Sequence, residues 1–128
     1  MQSEPDKVSN IERIKGMIEY WADVLLPLDY VVEIKEGNGG VEMAVDLDRA
    51  EYLCFSITIG RSMLEGDIPE DVHETIVHEM LHIVCSPYTR LAERTKNKPI
   101  RKELRDREEE MVTFLAKRIV AHTDRIMR

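Results

Sequence analysis

Two histidines and a glutamate occur together in the run His78-Glu79-Met80-Leu81-His82. Side chains four residues apart on a helix stack one turn from each other, so His78 and His82 can bind a single metal ion. Glu79 lies about 100° around the helix axis from His78, which places its carboxylate beside the ion rather than on it. A carboxylate there can act as a general base toward a water molecule. The run therefore predicts a catalytic metal site, with two unrelated surface histidines as the alternative.

A catalytic zinc ion normally takes a third protein ligand. His73 is a poor candidate because five residues of helix rotate it away from His78, and His122 is expected to pack on the last helix. No further histidine follows the motif closely, since residues 83–88 read IVCSPY. We therefore expect the third ligand to be a carboxylate from the C-terminal helix.

Three consecutive glutamates in that helix, Glu108, Glu109 and Glu110, offer such a carboxylate. Helical periodicity places Glu108 in the middle of the apolar face, where an unpaired carboxylate is costly unless a cation or a metal contacts it. Glu109 lies at the edge of this face, and Glu110 points toward solvent. The pattern leaves Glu108 and Glu109 as candidate ligands, with an ordinary solvated charge run as the alternative.

Strands and a first helix precede the motif. The first helix is predicted from the N-cap Ser9 to Leu25, because Glu12 follows the cap by three residues and Pro27 ends the pattern. Alternation of apolar and polar residues predicts three strands, near residues 32–34, 41–48 and 52–59. The sequence GNGG at 37–40 indicates a turn.

The motif lies in a helix predicted from the N-cap Asp67 to about Cys85. The polar segment 87–99 is predicted to be a loop, and a long last helix begins at about Ile100. Its apolar stripe comprises Ile100, Leu104, Met111, Val112, Leu115, Ile119 and Ile126. This order of elements indicates a single α+β domain over residues 1–128, with a small, mostly antiparallel three-stranded sheet and a flexible N-terminus at residues 1–8.

Composition agrees with one globular domain. The chain has 128 residues, of which 43% are hydrophobic and 34% charged, and no apolar run approaches the roughly 20 residues that cross a bilayer. We expect no membrane association and no secretory signal. Cys54 and Cys85 do not form a disulfide framework and are expected to be small buried residues, which favours a reducing, cytoplasmic setting.

Charge is distributed unevenly along the chain. Residues 1–86 carry 6 basic and 18 acidic side chains (−12), and residues 87–128 carry 12 basic and 7 acidic ones (+5), which sum to the net charge of −7. A basic C-terminal third can indicate nucleic-acid binding. Its basic residues are interleaved with acids, however, and aromatic residues are scarce there, so we do not expect nucleic acid as a partner. We expect the positive charge to lie at the rim of a cleft and to favour acidic substrate segments.

The strand at 52–59, VHEMLH at 77–82 and EEEMVTFLA at 108–116 together resemble the zincin-fold metallopeptidases of the gluzincin type, in particular the small single-domain ones of phages, prophages and bacteria. The resemblance implies a glutamate ligand followed four residues later by a polar residue that supports a metal-bound histidine. Glu109 with Thr113 fits that spacing, whereas Glu108 with Val112 does not. It therefore implies Glu109 as third ligand, with Glu108 as runner-up, although threonine replaces the usual acid.

The resemblance also implies a function. It predicts a zinc-dependent metallopeptidase with one Zn²⁺, more an endopeptidase than an exopeptidase, acting on a protein or peptide substrate. The strand before the motif would form the sheet edge that pairs with an extended peptide, and Tyr88 or Arg90 would supply a second oxyanion donor. The alternative is a zinc-binding regulatory or interaction module with little turnover. Glu79 argues against this alternative, because a purely structural site needs no general base.

Overall fold

The computed structural model describes residues 9–37 and 42–127, with side chains described through residue 124. Over these residues the chain is an α+β fold with one three-stranded sheet and a long C-terminal helix. The helices are α1 (Asn10–Leu25), α2 (Arg61–Leu64), α3 (Val72–Val84), α4 (Ser86–Glu93) and α5 (Lys98–Met127), and the strands are β1 (Val31–Glu36), β2 (Met43–Asp46) and β3 (Cys54–Ile59). The segment 1–8, predicted to be flexible, and residues 38–40 of the predicted turn lie outside the described residues.

Helix α1 begins as its sequence predicts. The Ser9 hydroxyl accepts a hydrogen bond from the backbone N–H of Glu12, which satisfies one of the free donors of the first turn. The apolar face of α1 buries Ile14, Ile18 and Trp21 against the rest of the core. The predicted first helix is therefore confirmed.

The sheet is mixed, with β3 in the middle. Strand β1 pairs parallel with β3, with Val31 opposite Cys54, and β2 pairs antiparallel with β3, with Met43 opposite Ile59. The predictions that the sheet is mostly antiparallel and that the strand at 52–59 forms its edge are wrong. Alternation of apolar residues specifies which face of a strand is buried, but it does not specify which strand lies beside it.

Helix α3 begins at Val72 rather than at Asp67, and its N-cap Asp71 makes no side-chain capping bond. The predicted start at Asp67 is wrong, because residues 67–71 form an irregular segment and a turn ahead of the helix, in which the Pro69 carbonyl accepts from the Val72 N–H. Helix α3 contacts α1, β2 and α5. Its buried residues are Val72, Ile76, Val77, Met80, Leu81 and Ile83.

Helix α4 occupies most of the segment that was predicted to be a loop, so the prediction of a loop at 87–99 is wrong for residues 87–93. Pro87 lies in the first turn of α4, where a residue without a backbone N–H is tolerated. The same proline ends α3 and starts α4. Helix α4 packs against α5.

Helix α5 buries a narrower face than its apolar stripe predicts. Val112 and Ala116 are fully buried, and Leu115 and Ile119 are partly buried. Three residues of the predicted stripe are instead about half exposed: Ile100, Leu104 and Met111. The part of α5 that faces the core therefore includes the segment directly after the three glutamates.

Candidate metal centre

His78, His82 and Glu109 offer three ligand atoms that all lie within 4.8 Å of one another. Nε2 of His78 is 2.8 Å from Oε2 of Glu109, and Nε2 of His82 is 3.3 Å from Oε1 of the same carboxylate. The two histidines come from successive turns of α3, and the glutamate comes from α5. The structure thus brings together the three residues that were predicted as ligands, from positions about 30 residues apart in the sequence.

The donor set suits a zinc ion. Ligand atoms at about 2.0–2.2 Å from a tetrahedral zinc lie roughly 3.3–3.6 Å apart. The 3.3 Å between His82 and Glu109 matches this spacing, whereas the 2.8 Å between His78 and Glu109 is a hydrogen-bond distance that would lengthen by about 0.5 Å around an ion. Two imidazole nitrogens and one carboxylate oxygen are borderline and hard donors that Zn²⁺ accepts readily. A site with three protein donors also leaves a coordination position for another molecule, which is the arrangement of catalytic rather than structural zinc.

Glu108 supports His82 from the other side of its ring. Its Oε2 lies 2.7 Å from Nδ1 of His82, and its Oε1 accepts a hydrogen bond from the Thr89 hydroxyl of α4. A carboxylate at Nδ1 fixes the proton on that nitrogen and leaves the lone pair of Nε2 free for a metal. Glu108 is therefore outside the ligand group, and the runner-up ligand has the position of an orienting residue.

Thr113 contacts a ligand of the group rather than a histidine. Its hydroxyl donates to Oε2 of Glu109 at 3.4 Å, one turn earlier on α5. The resemblance implied that the residue at this position supports a metal-bound histidine, and this expectation is wrong. Glu108 makes the histidine contact instead, with Thr89 behind it.

Sequence reasoning missed Thr89 because it assigned residues 87–99 to a loop. Pro87 carried a signal that could have corrected this, since proline is favoured in the first turn of a helix as well as after the end of one. In a helix that begins at residue 86, the Thr89 hydroxyl reaches the Glu108 carboxylate. A flexible loop would leave the position of Thr89 undefined.

Glu79 lies between the ligand group and strand β2. The backbone N–H of Val45 donates to its carboxylate, which links the edge strand to the proposed base. Burial raises the pKa of Glu79 to about 7, with a smaller increase from Glu109, while His82 and the Val45 bond act in the opposite direction. A carboxylate with a pKa near neutrality is suited both to accept and to return a proton.

Two hollows flank the ligand group. One, of about 250 Å³, lies against His78 and Glu79 and is lined by Glu42, Met43, Glu74, Thr75, His78 and Glu79. The other, of about 560 Å³, lies against Glu109 and is lined by Asp106, Glu109, Glu110, Thr113, Phe114 and Lys117. The acids Glu42 and Glu74 make the first hollow negative, a feature that the sequence reasoning did not anticipate.

The other histidines are engaged elsewhere or exposed. Nδ1 of His73 accepts a hydrogen bond of 3.0 Å from the indole N–H of Trp21, so His73 joins α3 to α1. His122 is exposed on α5, and the expectation that it packs on this helix is wrong. The ligand group found among the described residues includes neither of them.

The two candidate oxyanion donors, Tyr88 and Arg90, lie on either side of Thr89 in α4. Tyr88 is 75% exposed and Arg90 half-buried, both on α4, so Tyr88 is held away from the core.

Cys54 and Cys85 are partly rather than fully buried. Burial and the nearby Glu108 raise the pKa of the Cys85 thiol, which keeps this sulfur protonated and a weak metal ligand.

Comparisons of the chain with protein-family models, with curated proteins and with solved structures gave no match. Among the described helices, none combines the length and the apolar character that crossing a bilayer requires.

Proposed function

We propose that this chain is a zinc-dependent metallopeptidase with a zincin-like fold, in which His78, His82 and Glu109 bind Zn²⁺ and Glu79 is the general base. The observation that carries the proposal is the convergence of three donors from α3 and α5 on one point, with the largely buried carboxylate of Glu79 beside them. A site that only stabilised the fold would need the donors but not the additional acid.

A zinc ion in this group would act as a Lewis acid toward a carbonyl oxygen and would acidify a water molecule. Glu79 would accept a proton from a water molecule that attacks the peptide carbonyl, and would return it to the departing amine as the C–N bond breaks. The Val45 N–H holds the Glu79 carboxylate in place during both transfers. Glu108 and Thr89 keep the ring of His82 in the orientation that directs Nε2 to the metal.

Strand β2 is the part of the sheet best placed to hold an extended peptide. It is hydrogen-bonded to β3 on one side, and Val45 lies in it next to Glu79. A peptide added along the other side of β2 would pass the ligand group. The Met43 backbone groups and the Val45 carbonyl point to that side and could pair with it, whereas the Val45 N–H already donates to Glu79. The edge position that the resemblance assigned to the strand at 52–59 therefore belongs to β2.

The hollow beside His78 supports a preference for a basic substrate side chain. Glu42 and Glu74 line it, and a lysine or arginine placed there would lie close to two carboxylates. This is opposite to the preference expected from the basic C-terminal third. Peptides with lysine next to the scissile bond should be cleaved faster than matched peptides with glutamate, and the reverse order would contradict this preference.

Metal content of the purified protein tests the site itself. We expect about one zinc ion in the wild type and in Glu79→Gln, and little in His82→Ala. His122→Ala is the matched control, because it removes an exposed histidine from the same chain and should leave the metal bound. Absence of zinc from the wild type would reject the proposed site.

Peptidase activity tests the reaction separately. Glu79→Gln should keep the metal and lose activity by about 10²-fold or more, since it removes the proton acceptor. Activity that survives this substitution would contradict the mechanism. A wild type that binds zinc and cleaves no peptide in a broad library would instead indicate the zinc-binding interaction module.

A further inference from the structure

Strand β1 leaves one side of its backbone unpaired within the described part of the chain, because β3 is the strand bonded to it. The Val31 N–H donates to the Leu53 carbonyl at one end, and the Gly37 N–H donates to the Ile59 carbonyl at the other. The direction of N–H and C=O groups alternates along a strand, so the odd-numbered residues of β1 face β3.

The even-numbered residues of β1 point their N–H and C=O groups out of the sheet edge: Val32, Ile34 and Glu36. Such a row of free donors and acceptors is a template for another strand. The half-buried side chains of Val32 and Ile34 border a hollow of about 250 Å³ between β1 and α1, so this edge combines free backbone groups with apolar surface.

Glu33 and Lys35 project from the opposite face of β1. Their side chains are 66% and 54% exposed, and their charged atoms lie 3.3 Å apart. If a second copy of β1 pairs antiparallel about a twofold axis at Ile34, each Glu33 lies directly opposite Lys35 of the other copy. Opposite charges facing each other across two strands stabilise the pairing, and like charges destabilise it.

This register also satisfies the backbone. Ile34 of one copy exchanges two hydrogen bonds with Ile34 of the other, and Val32 exchanges two with Glu36 in each half. Moving the axis to Val32 would place Glu33 opposite Val31 and leave the charged pair unmatched. The register centred on Ile34 therefore pairs every outward N–H and C=O group of β1. The same register places each Glu33 opposite a Lys35.

We propose that two copies of this chain associate through β1, which joins their sheets into one six-stranded sheet about a twofold axis at Ile34. The occupant is a second copy because the edge is complementary to itself in hydrogen bonding and in charge, as an isologous interface requires. A strand that places a like charge opposite Glu33 or Lys35 would pair less stably with β1.

Sedimentation equilibrium over a range of protein concentrations tests this proposal. The wild type should associate to a dimer, and Glu33→Lys and Lys35→Glu should each raise the dissociation constant at least about tenfold, because each creates two like-charge pairs. An equimolar mixture of the two variants should associate again, since they carry opposite charges at the facing positions. The double variant Glu33→Lys/Lys35→Glu should also dimerise.

Glu36→Lys is the matched control. It makes the same change of charge on the same strand as Glu33→Lys, but it faces Val32 of the second copy and should leave the dissociation constant nearly unchanged. Thermal unfolding of each variant verifies that its monomer is folded. A wild type that stays monomeric at every concentration, single variants that dimerise as the wild type does, or a mixture that stays monomeric would each overturn the proposal.

Discussion

The Glu108 carboxylate lies 2.7 Å from Nδ1 of His82, the ring nitrogen opposite the one that faces Glu109. Two neighbouring glutamates on α5 thus contact the two nitrogens of one imidazole. Their environments differ accordingly, since the side chain of Glu108 is 17% exposed and that of Glu109 is 55% exposed. The less exposed glutamate, Glu108, holds the histidine ring at Nδ1, and the more exposed one, Glu109, belongs to the group that could bind a metal.

Removal of Glu108 should weaken metal binding without abolishing it. Glu108→Ala leaves the ligands His78, His82 and Glu109 in place but frees the His82 ring, so we expect zinc affinity to fall about 10- to 100-fold. Competition with a chromophoric chelator measures this change. Thr89→Val should cause a smaller loss in the same direction, because Glu108 then loses its hydroxyl donor. Unchanged affinity in both variants would show that the ring is held by other contacts.

Removal of Glu109 should have a larger effect than removal of Glu108, because it deletes a ligand. Glu110→Ala is a suitable control, since Glu110 is 67% exposed and pairs with Arg107 on the same helix. We expect the order of zinc affinity to be Glu110→Ala, then Glu108→Ala, then Glu109→Ala, with the first equal to the wild type. If Glu108→Ala lost more affinity than Glu109→Ala, the assignment of ligand and support would be reversed.

The stability of the metal-free protein should depend on pH through Glu79. Its pKa is about 7 in the folded chain against a usual 4.5, so the folded state holds more protons between these values. Stability should therefore fall as the pH rises through this window, by up to about 3 kcal/mol. Urea unfolding of chelator-treated protein at several pH values measures the slope.

Glu79→Gln should flatten that pH dependence, because the neutral amide does not titrate. Glu74→Gln, five residues earlier on α3, is the matched control and should retain the wild-type slope. Equal slopes in the wild type and in Glu79→Gln would mean that another group is responsible.

Two neighbouring residues of α5 test which of its faces is buried. Val112 is fully buried and Met111 is 47% exposed. Val112→Ala should lower the free energy of unfolding by about 1.5–3 kcal/mol, from lost apolar burial and a residual cavity. Met111→Ala should lower it by less than about 1 kcal/mol. Chemical denaturation compares the two, and equal losses would contradict the orientation of α5.

Local signals determined the elements that carry the ligands. The spacing of His78 and His82 requires a helix for both imidazoles to reach one ion, and the apolar pattern of residues 76–84 independently indicates one. The first helix, with its Ser9 cap, was also predictable because a cap is a contact between residues three positions apart. Predictions of this kind need no knowledge of distant neighbours.

Other local signals were misleading because each of them is compatible with two different local structures. Pro87 both ends a helix and suits the first turn of the next, so the sequence alone did not distinguish a loop from α4. Asp67 and Glu70 have the spacing of a capping box, yet the helix begins at Val72. Residues 67–71 instead form an irregular segment and a turn, with the Val72 N–H donating to the Pro69 carbonyl.

The sequence by itself determined the types of residue in the site: two histidines, a base beside them and a carboxylate from a run of three. Only the tertiary structure decided which glutamate contacts which nitrogen of His82. The packing of α5 against α3 brings Glu109 to Nε2 and Glu108 to Nδ1. It likewise decided that β3 lies between β1 and β2. Alternation and helical periodicity describe one element at a time, whereas the assignment of ligand, support and sheet neighbour depends on how two elements are placed against each other.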